Sequence, residues 1–322
     1  MNEELLIRAL QRIHGHEAFE SDADAVPSRP GTLLVSSDAF SRDEDFLSGL
    51  SPRDAGRLMA YGACTDLLAS GARPEAVTQI WTCSPSEPLS FYEQAAEGVQ
   101  EVLAHYGAKV IGGDVATASD WGWCATVMGH AERPVRRVAS ARAEFDLYVS
   151  DRLGLANAAV ALGRPLPLPV WREGVPANAL FATDTSGGLF DALENFRRVN
   201  PGLRLEVDCD AALAPGLDRL LPPGVEPGWT LVGGVGEYAL LFAVPAGTPV
   251  GDGILIGHGG FVEKTGVPGI SLLAKGREGR MSVSPPDWRA VAPLDRLAVV
   301  ARYWRELFQL ECDRQFPQKC AE

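Results

Sequence analysis

Aspartates joined to small residues recur five times along this chain, and they are the residues best suited to chemistry. They are Ser21-Asp22-Ala23-Asp24, Ser36-Ser37-Asp38, Thr65-Asp66, Gly112-Gly113-Asp114 and Thr183-Asp184-Thr185-Ser186-Gly187-Gly188-Leu189. Carboxylates scattered in sequence and gathered by a fold are how proteins hold hard cations. Mg²⁺ takes one or two carboxylates per ion and leaves its other positions to water and substrate phosphates. That division suits phosphoryl transfer, where positioning and charge neutralisation supply most of the catalysis.

The segments around these residues alternate between the two regular periods. Leu5, Leu6, Ile7, Leu10 and Ile13 are spaced as one helical face over 3–13. Thr32–Ser36 reads as extended, followed by a polar stretch from Ser41 to Asp54. A helix is expected over 54–70, stopped by Gly71 with Pro74 beyond it. Asp66 falls inside that apolar helix, where an ionised carboxylate is costly unless paired, coordinated or capping a neighbour. Further along come a strand over 77–83, a helix over 89–106 ending at Gly107, a strand over 109–111 leading into Gly112-Gly113-Asp114, and a strand over 121–129.

A second set follows: strands over 145–150, 203–207 and 238–244, and helices over 154–162, 188–199 and 294–308. Ser186-Gly187-Gly188 ahead of its helix reads as a cap, and equally as a set of free N–H groups facing phosphate oxygens. The expectation is two α/β (α+β) domains, 1–140 and 141–322.

With 322 residues, 46% of them apolar, the chain is long enough for two cores. A net charge of −13 argues against nucleic acid or an anionic membrane as partner. No apolar run approaches the roughly 20 residues of a membrane span, and the acidic start does not read as a secretory signal. The six cysteines include no CxxC pair, so they read as reduced thiols of a cytoplasmic protein. The chain has no GxxxxGK[ST] loop, GxGxxG fingerprint, GxSxG elbow or HExxH helix, and His14-Gly15-His16 reads as solvated surface.

Taken in order, the motifs resemble those of the superfamily of aminoimidazole ribonucleotide synthetase, selenophosphate synthetase, the hydrogenase-maturation dehydratase and thiamine-monophosphate kinase, with the last the best match. The most specific segment is Ala63-Cys64-Thr65-Asp66-Leu67-Leu68-Ala69-Ser70-Gly71-Ala72-Arg73-Pro74, beside the family's NLSDxAAMGAxP. Val149-Ser150-Asp151-Arg152-Leu153-Gly154 and Gly236-Glu237-Tyr238-Ala239-Leu240-Leu241-Phe242 match VTGxLG and GGEDYELLF more loosely.

The resemblance implies an N-terminal mixed-sheet domain that forms a barrel across a homodimer, and ATP in the cleft between the domains. Mg²⁺ ions would bridge its phosphates to Asp22, Asp38, Asp66, Asp114 and Asp184, with Ser36 or Ser37 adding an oxygen. Asp184 and Ser186 would serve catalysis. Gly112, Gly113, Asp114, Arg137 and Ser186 would meet the nucleotide, and Asp45 and Glu237 the small phosphorylated substrate.

The chain departs from the family at several points. Ala23 replaces an aspartate beside Asp22, Gly187 replaces the second aspartate of DxSDGL, and Asp45 stands where the family has a substrate-side histidine. The aromatic ending of the family is absent. Three readings follow: an ATP- and Mg²⁺-dependent kinase making thiamine diphosphate from the monophosphate, a related ATP-dependent enzyme with another acceptor, and a non-catalytic nucleotide-binding homodimer. Asp184–Leu189 is also similar to the DxTRGGL segment of the hydrogenase-maturation protein, whose terminal acceptor cysteine is missing here because Cys320 precedes Ala321-Glu322.

Overall fold

Two sheets, each with helices against one face, carry the chain. The computed structural model describes residues 30–308, except 43, 44, 46, 48, 224, 263–268, 282–284 and 287–295, together with residues 9, 12 and 13. The helix expected over 3–13 therefore lies almost wholly outside the described residues.

The first sheet has strand order β1-β4-β2-β3, from β1 (Thr32–Ser41), β2 (Ala76–Cys83), β3 (Lys109–Thr117) and β4 (Gly122–Ala131). β4 runs antiparallel to both β1 and β2, while β2 and β3 are parallel. Helices α1 (Pro52–Ala69) and α2 (Leu89–Tyr106) lie across one face. They bury Trp81, Trp123, Tyr92, Leu58 and Met59. α1 starts at Ser51, whose hydroxyl accepts from Asp54 N, and ends before Gly71 at φ 77°. α2 ends on Gly107 at φ 73°. Both glycine stops are those expected from the sequence.

The second sheet runs β11-β10-β7-β9-β5-β8-β6. Its strands are β5 (Phe145–Val149), β6 (Phe181–Asp184), β7 (Leu203–Asp208), β8 (Leu240–Pro245), β9 (Ile254–Phe261), β10 (Gly269–Ala274) and β11 (Arg277–Met281). All pairs are antiparallel except β7 with β10. The helices here are α3 (Leu155–Ala161), α4 (Leu189–Val199), the short α5 (Cys209–Ala212) and α6 (Leu217–Leu220), and α7 (Arg296–Leu307). Phe181, Phe190, Phe196 and Trp304 fill this core. Cys64, Cys83 and Cys209 are buried free thiols and Cys124 is a half-buried one. Among the described residues no helix is long and apolar enough to cross a membrane.

Two expectations change. Gly112-Gly113-Asp114 does not follow a strand but lies inside β3, which continues to Thr117. The chain passes the glycines through a register shift opposite Val77/Thr78, where a bulge absorbs the irregularity. A side chain at Gly113 would overlap the Gln79 carbonyl, so the close strand approach itself requires glycine. Strands β6, β9, β10 and β11 were not anticipated. β9 holds Gly257, Gly259 and Gly260, which remove the alternation that marks a strand.

Helices α1 and α2 cross in close contact. A Cβ on Gly56 would overlap the Ala95 carbonyl, and one on Gly98 the Arg53 carbonyl. Arg57 bridges the pair from outside, its Nε 2.6 Å from Glu101 Oε2. Overpacking of this kind costs about 1–3 kcal/mol. Gly56→Ala should therefore lower Tm by at least about 3 °C in a thermal melt; an unchanged Tm would mean that the helices part freely.

Candidate functional site

Alternation along β1 decides which of its polar residues can meet. Side chains two apart share a face, so Ser36, Asp38 and Phe40 point one way and Ser37 the other. Ser36 Oγ donates to Asp66 Oδ2 at 2.7 Å. Ser37 pairs on the outward face with Thr126, 2.7 Å between hydroxyl oxygens. Of the two serines, Ser36 belongs to the site.

Asp66 comes from the penultimate turn of α1, facing β1 across the helix–sheet junction. Its neighbour Thr65 reaches the second domain, with Oγ1 2.9 Å from Asp184 Oδ2 and 2.7 Å from its own helix at Gly62 O. Asp184 is the last residue of β6, only 7% exposed. Ser186 Oγ donates to its other oxygen at 3.1 Å. The middle of β1, the helix α1 and the end of β6 in the other sheet thus bring Asp38, Asp66 and Asp184 to one place.

Arg137 stands at the rim. The segment leaving β4 is tied to α1 by Val135 N on Ser70 O, and to β6 by Ala182 N on Arg136 O. That run sets Arg137 Nε 3.0 Å from Thr183 Oγ1, with the guanidinium beside Asp184. A cavity of about 260 Å³ opens here, lined by Leu34, Ser36, Asp66, Val135, Arg136, Arg137, Thr183 and Asp184 among others. One wall is apolar and the other carries both signs of charge.

The carboxylates repel one another. Burial first, then the charges of Asp66, Asp184 and Asp45, push Asp38 up to about 6. Burial and Asp66 likewise raise Asp184 to about 6, although Thr65, Ser186 and Arg137 pull the other way. Asp45 lies in the loop after β1, where Ser41 N donates to its Oδ2 at 2.7 Å. Among the described residues, no three His, Cys, Asp or Glu side chains enclose a ready-made cation cage. Paired carboxylates with spare negative charge and open sides are the donor set for Mg²⁺ ions whose other ligands come from phosphate and water. The residues present fit that ion.

Other residues singled out in the sequence fall elsewhere. Asp114, exposed on β3, sits at the opposite edge of the sheet from β1, three strand spacings or roughly 14 Å away. Its Oδ1 accepts from Val115 N, and Gly112 and Gly113 share that edge. Glu237 is placed on the N-terminus of α3, where its Oε1 accepts from Gly154 N (2.8 Å) and Ala156 N (3.1 Å). Burial carries its pKa to about 7, held back by those backbone bonds. It caps that helix. Asp22 lies outside the described residues.

Thr65, Thr183 and Tyr238 belong to this region too; the sequence motifs contain them without giving them a role. Tyr238 is buried at φ 53°, its ring against the positions where Gly62 and Gly236 lack side chains. The fields of Asp45, Asp184 and Asp38 add to burial in raising its pKa. The absence of side chains at Gly62 and Gly236 was the sequence signal, legible only once the fold had placed them beside the ring.

Residues 21–131 match the family model described as AIR synthase related protein, N-terminal domain. Over that N-terminal stretch the chain is similar to AIR synthase-related proteins. Over a longer stretch the chain is similar to thiamine-monophosphate kinases. It is 28% identical over 254 residues to the curated thiamine-monophosphate kinase of Mycobacterium tuberculosis, covering 71% of this chain and 75% of the relative. That of Halobacterium salinarum is 25% identical over 247 residues, covering 74% and 84%.

Among solved structures, the thiamine monophosphate kinase of Aquifex aeolicus superposes with a TM-score of 0.65 at 20% identity, covering 83% of this chain and 95% of that one. A ThiL structure complexed with AMPPCP and TMP gives 0.67 at 22%, covering 88% and 95%. HypE of E. coli gives 0.70 at 19%, covering 91% and 99%.

A carboxylate whose pKa is raised by folding holds its proton more tightly folded than unfolded. Asp38 and Asp184 therefore stabilise the fold fully below about pH 4, and that contribution is lost as pH rises through about 6. A divalent cation should take over the proton's role above that range. Mg²⁺ is expected to raise Tm by several degrees at pH 7.5 and hardly at all at pH 5, in melts with and without the ion. Equal shifts at both pH values would place the ion elsewhere.

Proposed function

We propose that the chain transfers the γ-phosphoryl group of ATP to thiamine monophosphate, giving thiamine diphosphate and ADP. The observation that carries the reading is the convergence of Asp38, Asp66 and Asp184 from two domains beside a cavity edged by Arg137, in a chain whose curated relatives are thiamine-monophosphate kinases. An oxygen of the acceptor phosphate attacks the γ-phosphorus as its bond to the β–γ bridging oxygen breaks, and ADP carries that oxygen away.

Asp38, Asp66 and Asp184 would hold Mg²⁺, which would supply neutralisation of the phosphate charge. Thr65 and Ser186 orient the two oxygens of Asp184 from opposite sides, and Ser36 fixes Asp66. Arg137 supplies a positive charge on the nucleotide side, where Leu34 and Val135 offer apolar surface to a base. Asp45 and Tyr238 lie beyond Asp38 and face the acceptor.

A homodimer in the cytoplasm belongs to the same reading. The outward face of the first sheet leaves Leu33, Val35 and Ile80 at 47%, 57% and 44% exposure, more apolar surface than an uncovered sheet face normally shows. Asp114 lies on that sheet's free edge, too far from Asp38 to share its ion within one chain, so a partner copy is its route to a site.

A second reading, an ATP-dependent enzyme with a different phosphorylated acceptor, draws on Asp45 and on the capping role of Glu237, both on the acceptor side. Following ADP release from Mg·ATP with and without thiamine monophosphate separates the two. Release dependent on thiamine monophosphate, with thiamine diphosphate formed, is expected; nucleotide binding with no such dependence would favour the other acceptor. Asp66→Asn should weaken Mg·ATP binding by about 100-fold or more with Tm kept, by calorimetry; unchanged affinity would make Asp66 structural.

A further inference from the structure

Tyr238 holds a backbone conformation that side-chain-bearing residues rarely adopt, with φ 53°. Both of its neighbours are tied down. Glu237 accepts from Gly154 N and Ala156 N, and Ala239 exchanges two bonds with Thr185, at 3.0 Å to Oγ1 and 2.8 Å from N. Strained residues persist only where their surroundings over-determine them. The ring is boxed in as well. A Cβ on Gly62 would lie 2.8 Å from Cε1, and one on Gly236 2.4 Å from Cε2 and 2.8 Å from Oη.

The hydroxyl is the part left unused. Tyr238 is only 9% exposed, yet among the described residues its Oη makes no hydrogen bond, although the fields of Asp45, Asp184 and Asp38 all reach it. Buried hydroxyls normally find a partner, and those of Tyr61, Tyr92 and Tyr106 each take a backbone group. Burial and the three carboxylates keep the Tyr238 phenol protonated, so it has a hydrogen bond to donate.

Its place along the site says to what. The cavity beside Arg137 is lined by Leu34 and Ser36 of β1 and by Asp66 and Ser70 of α1. Asp38 and then Phe40 follow on the same face of β1, and Gly62 lies one turn before Asp66. Phe40 and Tyr238 both crowd position 62, where a Cβ would meet Phe40 Cζ at 2.9 Å. The cavity and Tyr238 therefore stand at opposite ends of the aspartates. In-line transfer puts attacking and leaving oxygens on opposite sides of phosphorus. With the nucleotide in the cavity, the acceptor approaches from the Tyr238 end.

We propose that Tyr238 contacts the acceptor substrate, its Oη donating a hydrogen bond to an oxygen of the acceptor's phosphate group and so aligning that group with the γ-phosphorus. This rests on the phosphoryl-transfer reading of the site and not on thiamine as the acceptor. The phosphoryl group passes between oxygens, and Oη keeps its proton throughout.

Tyr238→Phe removes the hydroxyl and keeps the ring. For this variant and the wild type, calorimetry measures the affinity of Mg·AMPPCP, then that of inorganic phosphate for the Mg·AMPPCP-saturated protein, with Tm recorded for each. The variant is expected to bind phosphate about tenfold or more weakly, with Mg·AMPPCP affinity within about twofold of wild type and Tm unchanged. In turnover, kcat/KM for thiamine monophosphate should fall by the same factor.

Wild-type phosphate affinity in Tyr238→Phe would overturn the proposal, as would a saturated wild type that binds no phosphate. An equal loss of Mg·AMPPCP affinity would also overturn it, by placing the hydroxyl on the nucleotide side. A loss that follows a fall in Tm would do so too, by making the hydroxyl structural. A wild type that binds phosphate but leaves thiamine monophosphate unphosphorylated would contradict the proposed acceptor and leave the Tyr238 result standing.

Discussion

Mutual repulsion of carboxylates at the joint between two domains is the constraint on which the rest of this structure turns. Asp38, Asp66 and Asp184 come from three elements of two sheets, and two of them are forced toward neutrality by burial and by one another. A fold keeps such a cost only where something else relieves it. Hydroxyls from Ser36, Thr65 and Ser186 relieve part, by donating to charged oxygens. The remainder is an attraction for cations, and hence for a cation-bound polyphosphate. The affinity for ligand and the strain in the free protein are two sides of one arrangement.

The arrangement depends on how the domains are tied. Thr65 spans the joint directly, and the segment through Arg136 is bonded to both α1 and β6. A second strap crosses on the far side. There Arg172 makes a two-pronged ion pair with Asp151, at 2.8 and 2.5 Å. Its backbone takes Tyr61 Oη on N–H and receives Tyr106 Oη on its carbonyl. These contacts hold the second domain against α1 and α2, so Asp184 is presented to Asp66 at fixed distance. Positioning is most of what phosphoryl transfer asks of a protein.

Much of this was legible beforehand, and the failures have physical causes. Helix α2 was expected over Leu89–Tyr106 and runs so, because Gly107 and the apolar spacing agree. Asp66 was marked as anomalous because charge inside an apolar helix needs a partner, and the partner is Ser36. The choice between Ser36 and Ser37 needed strand register, which spacing alone does not supply. Gly112-Gly113-Asp114 was expected to follow a strand over 109–111 and lies inside it. Glycine carries no pairing signal, and only β2 beside it keeps the strand going. Glu237 was named as a substrate contact from the motif around it, and the structure shows its carboxylate accepting from backbone N–H groups at the start of α3.

Proton release tests the central claim most directly. If a cation displaces protons from Asp38 and Asp184, binding of Mg·AMPPCP at pH 6 should release about one proton in total, since two groups near pKa 6 are each roughly half protonated there. The release should vanish by pH 8. Calorimetric titrations in buffers of different ionisation enthalpy measure it. About one proton at pH 6 falling to none at pH 8 is the predicted result; nucleotide binding with no proton release at pH 6 would contradict the account.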